Sequence, residues 1–135
     1  MLVLIRGAGD LASGVSLRLH RAGFPVVMTD LPKPTAIRRT VCFSQAIRFG
    51  TTMVEDAEGV CCHTAREVKA ALDAEKIPVL PDETAKCKDW LHPDVLVDGI
   101  LAKKNLGTKM SDAPLVIALG PGFCAGRDCH AVIET

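Results

Sequence analysis

The chain has 135 residues, of which 48% are apolar and 24% are charged, and its 16 basic side chains balance its 16 acidic ones. High apolar content without net charge excludes a disordered chain, and the lack of a positive excess disfavours a nucleic-acid partner. The longest apolar runs, residues 1–5 and 115–119, are far shorter than the roughly 18 residues of a bilayer span. We therefore expect a single domain over residues 1–135, located in the cytoplasm, with neither a membrane nor nucleic acid as its partner.

The first 30 residues predict a strand, a helix and a second strand. Residues 2–5 are an unbroken aliphatic run, which is typical of a strand covered on both faces. Apolar residues recur at helical spacing over residues 11–22, and Gly23 follows where glycine commonly ends a helix. Residues 25–30 predict the next strand. Together these segments indicate a βαβ unit with two parallel strands.

The rest of the chain continues this alternation. Further strands are predicted at residues 51–55, 77–80, 95–98 and 115–119. A helix is predicted from the capping box of Thr64 and Glu67 to about residue 75, and a short helix is predicted from Pro81 toward Leu91. Asp128 is a candidate N-cap of a last helix. The expected fold is α/β: a Rossmann-like, three-layer αβα arrangement with a mainly parallel sheet of five or six strands.

The segment after the first strand, Gly7-Ala-Gly9-Asp-Leu-Ala12, fits the dinucleotide-binding pattern G-x-G-x-x-G/A. In that pattern Gly7 permits the tight turn, Gly9 lets a pyrophosphate approach the backbone, and Ala12 lets the helix pack closely on the strand. Asp30, at the end of the second strand, is positioned to accept from a ribose 2′-hydroxyl. Asp10 would repel a phosphate unless it turns to the N–H groups of its own helix. A plain strand-to-helix turn is the alternative interpretation.

A second glycine loop, residues 120–128, follows the last aliphatic strand. Gly120 and Gly122 are expected at the same edge of the sheet as the first loop, which indicates a ligand with two ends, unless these glycines only shape a turn. Charged side chains expected near this edge are either ligand contacts or solvated surface groups. They are Arg38, Arg39, Asp98, Lys103 and Lys104.

The six cysteines are expected to be free and mostly buried, because a cytoplasmic chain of this size needs no disulfide framework. The spacing of Cys61, Cys62 and His63 against Cys124, Cys129 and His130 does not fit a zinc site, so no metal is expected. Cys124 lies near a predicted helix start, where a thiol can be activated, but no base is assigned to it.

Four blocks of the sequence, taken together, resemble the accessory proteins of the selenium-dependent molybdenum hydroxylase system, the YqeB-like family. The blocks span residues 6–14, 35–41, 98–105 and 119–126. The resemblance implies a Rossmann-type fold similar to that of XdhC accessory proteins and a role in the maturation of xanthine-dehydrogenase-like enzymes. It also implies that this chain corresponds to the N-terminal half of proteins about twice as long. The positions that match the family are Gly7, Gly9, Asp10, Ser13, Arg38, Arg39, Lys103, Lys104, Gly120 and Gly122.

The functional hypothesis is an accessory or maturation factor that binds an NAD-like dinucleotide or molybdopterin (cytosine) dinucleotide, with a molybdenum hydroxylase as its partner. One alternative is an NAD-dependent oxidoreductase, for which His20, His63, His92 and His130 are the candidate proton carriers. Another is a protein-interaction module without a ligand. Because a C-terminal helix starting near Asp128 would be too short to cover its sheet face, we also expect a homodimer, or a heteromer with the missing part.

Overall fold

A computed structural model describes residues 1–34 and 42–134 of the chain. Its strands, in chain order, are β1 (Val3–Arg6), β2 (Val26–Asp30), β3 (Thr51–Val54), β4 (Ala57–Cys61), β5 (Ile77–Pro81), β6 (Val95–Asp98), β7 (Leu115–Leu119) and β8 (Ala131–Ile133). The α-helices are α1 (Asp10–Arg21), α2 (Gln45–Phe49), α3 (Ala65–Asp73) and α4 (Lys88–Leu91), and a turn of 3-10 helix spans Met110–Asp112. In the described ranges, no helix has both the length and the apolar character that crossing a membrane requires.

The strands form one sheet in the order β3-β4-β5-β2-β1-β6-β7-β8. Every neighbouring pair is parallel except β3 and β4. The expectation of an α/β fold with a mainly parallel sheet is therefore confirmed. The expected count of five or six strands is wrong, because the described residues form eight strands, and the two that were not predicted are β4 and β8.

Strand β4 pairs with β3 across a two-residue turn at Glu55 and Asp56, where Glu55 has a φ of 54°. Its sequence, AEGVC, has no aliphatic run, so composition alone does not predict it. The strand is defined instead by tertiary packing. A Cβ at Gly59 would lie 2.8 Å from Cδ1 of the buried Phe43, so this position accepts the aromatic ring because it has no side chain.

The predicted last helix, starting at Asp128, is wrong: β8 follows there and pairs in parallel with β7. The Asp128 carboxylate accepts the backbone N–H of Cys124 at 2.9 Å and closes a turn instead of capping a helix. His130 accepts the backbone N–H of Val116 at Nδ1, 2.9 Å away, and donates its own N–H to the Val116 carbonyl at 2.8 Å. These bonds hold the segment in an extended pairing along β7.

The core lies on both faces of the sheet. In the central strand β1, Val3 and Ile5 pack in one hydrophobic cluster and Leu4 packs in the other. The first cluster contains side chains of α1 and α2, and the second contains side chains of α3 and α4. Strand β1 is therefore buried on both sides, which explains why its residues 3–5 are all aliphatic.

The helices follow their sequence signals to different extents. Helix α1 ends at the predicted place, with Gly23 at a φ of 94° just beyond it. The Thr64 hydroxyl accepts the N–H of Glu67 at 3.2 Å, as predicted, and α3 follows. The helix predicted from Pro81 is confined to Lys88–Leu91, because the Asp82 carboxylate accepts the N–H groups of Lys86 and Cys87 and forms a turn first.

Candidate functional site

A cleft of about 600 Å³ lies at the carboxyl ends of β1 and β6. From β1 the chain continues to β2 on one side of the sheet, and the later strand β6 pairs on the other side. Crevices in open α/β sheets form where the connections diverge in this way. We call it the glycine-loop cleft. Its lining residues are Arg6, Gly7, Ala8, Gly9, Asp10, Leu11, Ala12, Thr29, Asp30, Leu31, Glu83, Thr84, Gly99, Ile100, Leu101 and Leu106.

The two glycines of the first loop serve different structural needs. Gly7 has a φ of 100°, and a Cβ there would lie 2.9 Å from the carbonyl oxygen of Gly99. Gly9 has ordinary dihedral angles as the N-cap of α1, and a Cβ there would meet nothing within 4 Å. The N–H of Gly9 has no acceptor in the described part of the chain. Gly7 is therefore required by the fold, whereas Gly9 leaves open space and a free donor in the cleft.

Ala12 and Ser13 occupy the first turn of α1 on its buried side. A Cβ added to Gly99 would lie 3.1 Å from Cβ of Ala12, so small residues on both elements let the helix approach the loop after β6. The Ser13 hydroxyl donates to the carbonyl of Ala8 at 3.2 Å and accepts the N–H of Phe43 at 2.8 Å. Ala12 lines the cleft, whereas Ser13 is fully buried behind it and links Phe43 to the glycine loop through its two hydrogen bonds.

The Asp30 carboxylate faces the glycine loop from the end of β2. One oxygen accepts the N–H of Ala8 at 3.1 Å, and the other accepts the N–H of Leu31 at 2.7 Å. Burial raises the pKa of Asp30 above its ordinary value of 3.8, although both hydrogen bonds act in the opposite direction. Each carboxylate oxygen can accept a second hydrogen bond. Asp30 can thus hold the loop and still accept a donor from a ligand.

Asp10 lies at the start of α1, in the loop where a phosphate was expected. Its carboxylate accepts the N–H of Leu11 at 2.9 Å. The side chain thus turns toward the N–H groups of its own helix, which is the arrangement under which an acid at this position is compatible with a bound anion. Asp10 is also one of the residues that line the cleft.

A buried polar group adjoins the cleft: Asp98, expected at this edge as a ligand contact or a solvated group, is buried there with Arg6, which was not predicted. Arg6 of β1 and Asp98 of β6 are register partners, and their exposed fractions are 4% and 1%. The hydroxyl of Thr108 lies between them: it accepts from Arg6 Nη1 at 2.8 Å and donates to the Asp98 carboxylate at 2.6 Å. Arg6 Nη2 donates to the carbonyls of Glu83 and Leu106, both at 3.2 Å. The sequence signal that could have indicated this group is a charged residue at the end of each of two otherwise aliphatic strands, Arg6 in β1 and Asp98 in β6.

The predicted site residues separate into three groups. The cleft brings together Gly7, Gly9, Asp10, Ala12 and Asp30. It is not lined by Ser13, Lys103, Gly120 or Gly122. Arg38 and Arg39 lie outside the described residues.

The second glycine loop packs against the loop after β6 instead of facing the cleft. A Cβ at Gly122, which has a φ of 94°, would lie 2.8 Å from Cα of Lys104 and 3.1 Å from the carbonyl oxygen of Lys103. Gly120 donates its N–H to the carbonyl of Ile133 at 2.9 Å. In this structure both glycines shape the chain between β7 and β8.

None of the six cysteines forms a disulfide, and Cys42, Cys62, Cys87 and Cys129 are buried. Burial raises the pKa of Cys62 to about 11 and that of Cys87 to about 12. Cys124 is exposed and adjoins a turn, not a helix. Within residues 1–34 and 42–134, no group of three His, Cys, Asp or Glu side chains is placed to hold a metal ion.

Comparison with known proteins adds one relative. No protein-family model matches the chain, and no solved structure matches it. The chain is 52% identical over 134 residues to a protein of Escherichia coli (strain K12) named "Uncharacterized protein YqeB". The alignment covers 99% of this chain but 25% of that relative, a smaller share than the half implied by the family resemblance. Along nearly its whole length, the chain is therefore similar to one quarter of YqeB.

Proposed function

We propose that this chain is a Rossmann-like, three-layer domain that binds a dinucleotide in the glycine-loop cleft. The observation that carries the proposal is the open space and free N–H at Gly9, in the same cleft as the Asp30 carboxylate. A pyrophosphate would accept from the Gly9 N–H beside the positive end of α1. A ribose hydroxyl would donate to Asp30.

The charges of the cleft narrow the class of ligand. Among the described residues that line it, Asp30 is an acid at the end of β2, where a ribose would lie. Its carboxylate favours a ligand whose ribose carries a free 2′-hydroxyl and disfavours a 2′-phosphate. An NAD-like dinucleotide and molybdopterin cytosine dinucleotide both meet this requirement, since each carries a ribose with a free 2′-hydroxyl.

The biological role that we propose is that of a cytoplasmic accessory or maturation factor for selenium-dependent, xanthine-dehydrogenase-like molybdenum hydroxylases. This proposal depends on the family resemblance and on the 52% identity to YqeB over 134 residues. The oxidoreductase alternative has less support, because no histidine is among the described residues that line the glycine-loop cleft. The hydroxylase is then the protein partner, and the dinucleotide is the bound molecule.

Self-association is part of the proposal. Among the described residues, strand β8 is an edge of the sheet; its own Ile133 is 51% exposed, and Leu115 of the neighbouring β7 is 40% exposed. Unpaired edge strands with apolar side chains are common pairing surfaces, and a two-fold dimer is the commonest closed form. We expect a dimer in sedimentation velocity at micromolar concentration. A monomer with no concentration dependence would contradict this.

Isothermal titration of the purified chain with NAD⁺, FAD and molybdopterin cytosine dinucleotide tests the ligand proposal. Gly9→Val is the decisive variant, because the apo protein has room for the side chain that would displace the pyrophosphate. Gly14→Val is the matched control: it adds the same side chain to α1 at an exposed position with nothing within 4 Å. We expect Gly9→Val to weaken binding about tenfold or more and Gly14→Val to leave it unchanged. Absence of binding by all three compounds would refute the proposal.

A further inference from the structure

A second cleft adjoins the glycine-loop cleft and has a different character. Its volume is about 590 Å³, and it lies between the segment around α4 and the loop that leads from β6 to β7. The two clefts share Arg6, Thr84 and Leu106 in their linings. None of the sequence motifs predicted this second cleft. We call it the basic cleft.

The basic cleft concentrates positive charge in a chain whose net charge is zero. Lys86, Lys88, Lys109 and Arg6 line it, against two acids, Asp89 and Asp112. Among the described residues, the glycine-loop cleft next to it is lined by Arg6 but by no lysine. The three lysines therefore distinguish the basic cleft from the glycine-loop cleft.

The lysines of the basic cleft differ in their ion pairing from other cations of the chain. Elsewhere in the chain Lys76 forms an ion pair with Glu58 at 2.8 Å, and Arg21 pairs with two acids. Lys86, Lys88 and Lys109 form no ion pair with any residue in the described ranges. Their ammonium groups are available to an anion that enters the cleft.

Arg6 supplies a fixed charge where the two clefts meet. Its side chain is 4% exposed, and its direct hydrogen-bond partners are neutral: the Thr108 hydroxyl and two carbonyls. The Nε atom is buried and has no acceptor among the described residues. Asp98 is separated from the guanidinium by the Thr108 hydroxyl. The described acid nearest this charge acts only through a hydroxyl, so an anion at this junction would supply a direct counter-ion.

We propose that the basic cleft binds a phosphate-bearing molecule through Lys86, Lys88 and Lys109, with Arg6 providing a buried positive charge beside it. Phosphate is the class that this set fits, because several ammonium groups around one cleft match an anion carrying more than one negative charge. The site is separate from the glycine loop and does not require a dinucleotide there. A ligand that occupies both clefts would pass Arg6.

Isothermal titration calorimetry of the full chain with inorganic tripolyphosphate tests the site with a ligand that contains no nucleoside. The cleft variant is Lys86→Gln with Lys109→Gln, both at exposed positions, where the fold should be unaffected. The matched control is Arg66→Gln with Lys69→Gln, which removes the same charge from the exposed side of α3. We expect saturable binding by the wild type, a loss of about tenfold or more in the cleft variant, and no change in the control.

Three results would overturn the proposal. These are no binding of tripolyphosphate by the wild type, an equal loss of affinity in cleft variant and control, and tighter binding of citrate than of tripolyphosphate. The last result would assign the cleft to carboxylates. Because the Gly9→Val experiment reports on the other cleft, failure of dinucleotide binding with retention of tripolyphosphate binding would refute the proposed function and leave this site standing.

Discussion

Substitution of Gly7 by alanine is the sharpest test of how the glycine loop is built. The residue has a φ of 100°, which L side chains rarely adopt, and its Cβ would lie 2.9 Å from the Gly99 carbonyl oxygen and 3.0 Å from the Ile100 nitrogen. Both atoms belong to the backbone, so they cannot move aside as the end of a flexible side chain can. Gly7→Ala therefore combines a conformational cost with a steric one.

The two costs can be estimated separately. A positive φ costs an L-residue about 1–2 kcal/mol, and overpacking against a rigid neighbour costs about 1–3 kcal/mol. We expect Gly7→Ala to lower the free energy of unfolding by about 3 kcal/mol, which corresponds to a fall in melting temperature of roughly 10 °C for a domain of this size. Gly14→Ala, in the exposed part of α1, should instead raise stability by about 0.5–1 kcal/mol.

Thermal and urea denaturation followed by circular dichroism measure both variants against the wild type. The comparison isolates position, because each variant adds one methyl group in place of a glycine hydrogen. If Gly7→Ala melted within roughly 2 °C of the wild type, the loops after β1 and β6 would not be held in the close contact described here. The assignment of Gly7 as a residue required by the fold would then be wrong.

Three further predictions concern buried polar groups and thiols. Burial raises the pKa of Asp30 above 3.8, so the protonated Asp30 side chain favours the folded state at low pH, and this stabilisation is lost as pH rises through the raised value. Asp30→Asn should therefore gain stability relative to the wild type as pH rises through that value. Urea denaturation across the pH range measures the difference. Thr108→Val should lower the free energy of unfolding by about 2–4 kcal/mol, because it leaves Arg6 and Asp98 without the hydroxyl that bridges them. A change below about 0.5 kcal/mol would show that the bridge is dispensable. Iodoacetamide should modify the exposed Cys124 well before Cys87, whose pKa burial raises to about 12, and peptide mass spectrometry would reveal the reverse order if that burial is wrong.

The sequence predicted those elements whose burial is uniform along the strand or periodic along the helix. Strand β1 is buried at every residue, so its aliphatic run is readable without any knowledge of its neighbours. Strand β4 is only partly buried, and it contains Gly59, where a side chain would clash with the ring of Phe43. Strand β8 depends on His130 pairing with β7. Such strands are fixed by contacts between distant segments, which local composition does not record.

The candidate site divides in the same way. Gly7, Gly9 and Ala12 were predicted because the pattern is local and its positions follow from one turn. Arg6 and the basic cleft were missed, since their significance depends on register pairing with β6 and on a loop about 100 residues away that supplies Leu106. The second glycine loop was expected beside the first because it follows the last aliphatic strand, but the positive φ angles of its glycines serve the connection to β8.

The central position of β1 has a consequence for the order in which the protein can fold. One of the two neighbours of β1 is β6, which lies far along the chain, and the bond from Leu2 N to the Asp94 carboxylate joins residues 92 positions apart. Until residues 95–98 leave the ribosome, the nascent sheet has an open edge along a strand in which residues 3–5 are all aliphatic. Pairings between such distant segments slow folding and expose edges that aggregate. We expect chains truncated before residue 95 to be insoluble, and refolding of the full domain to be limited by the joining of its two halves along β1.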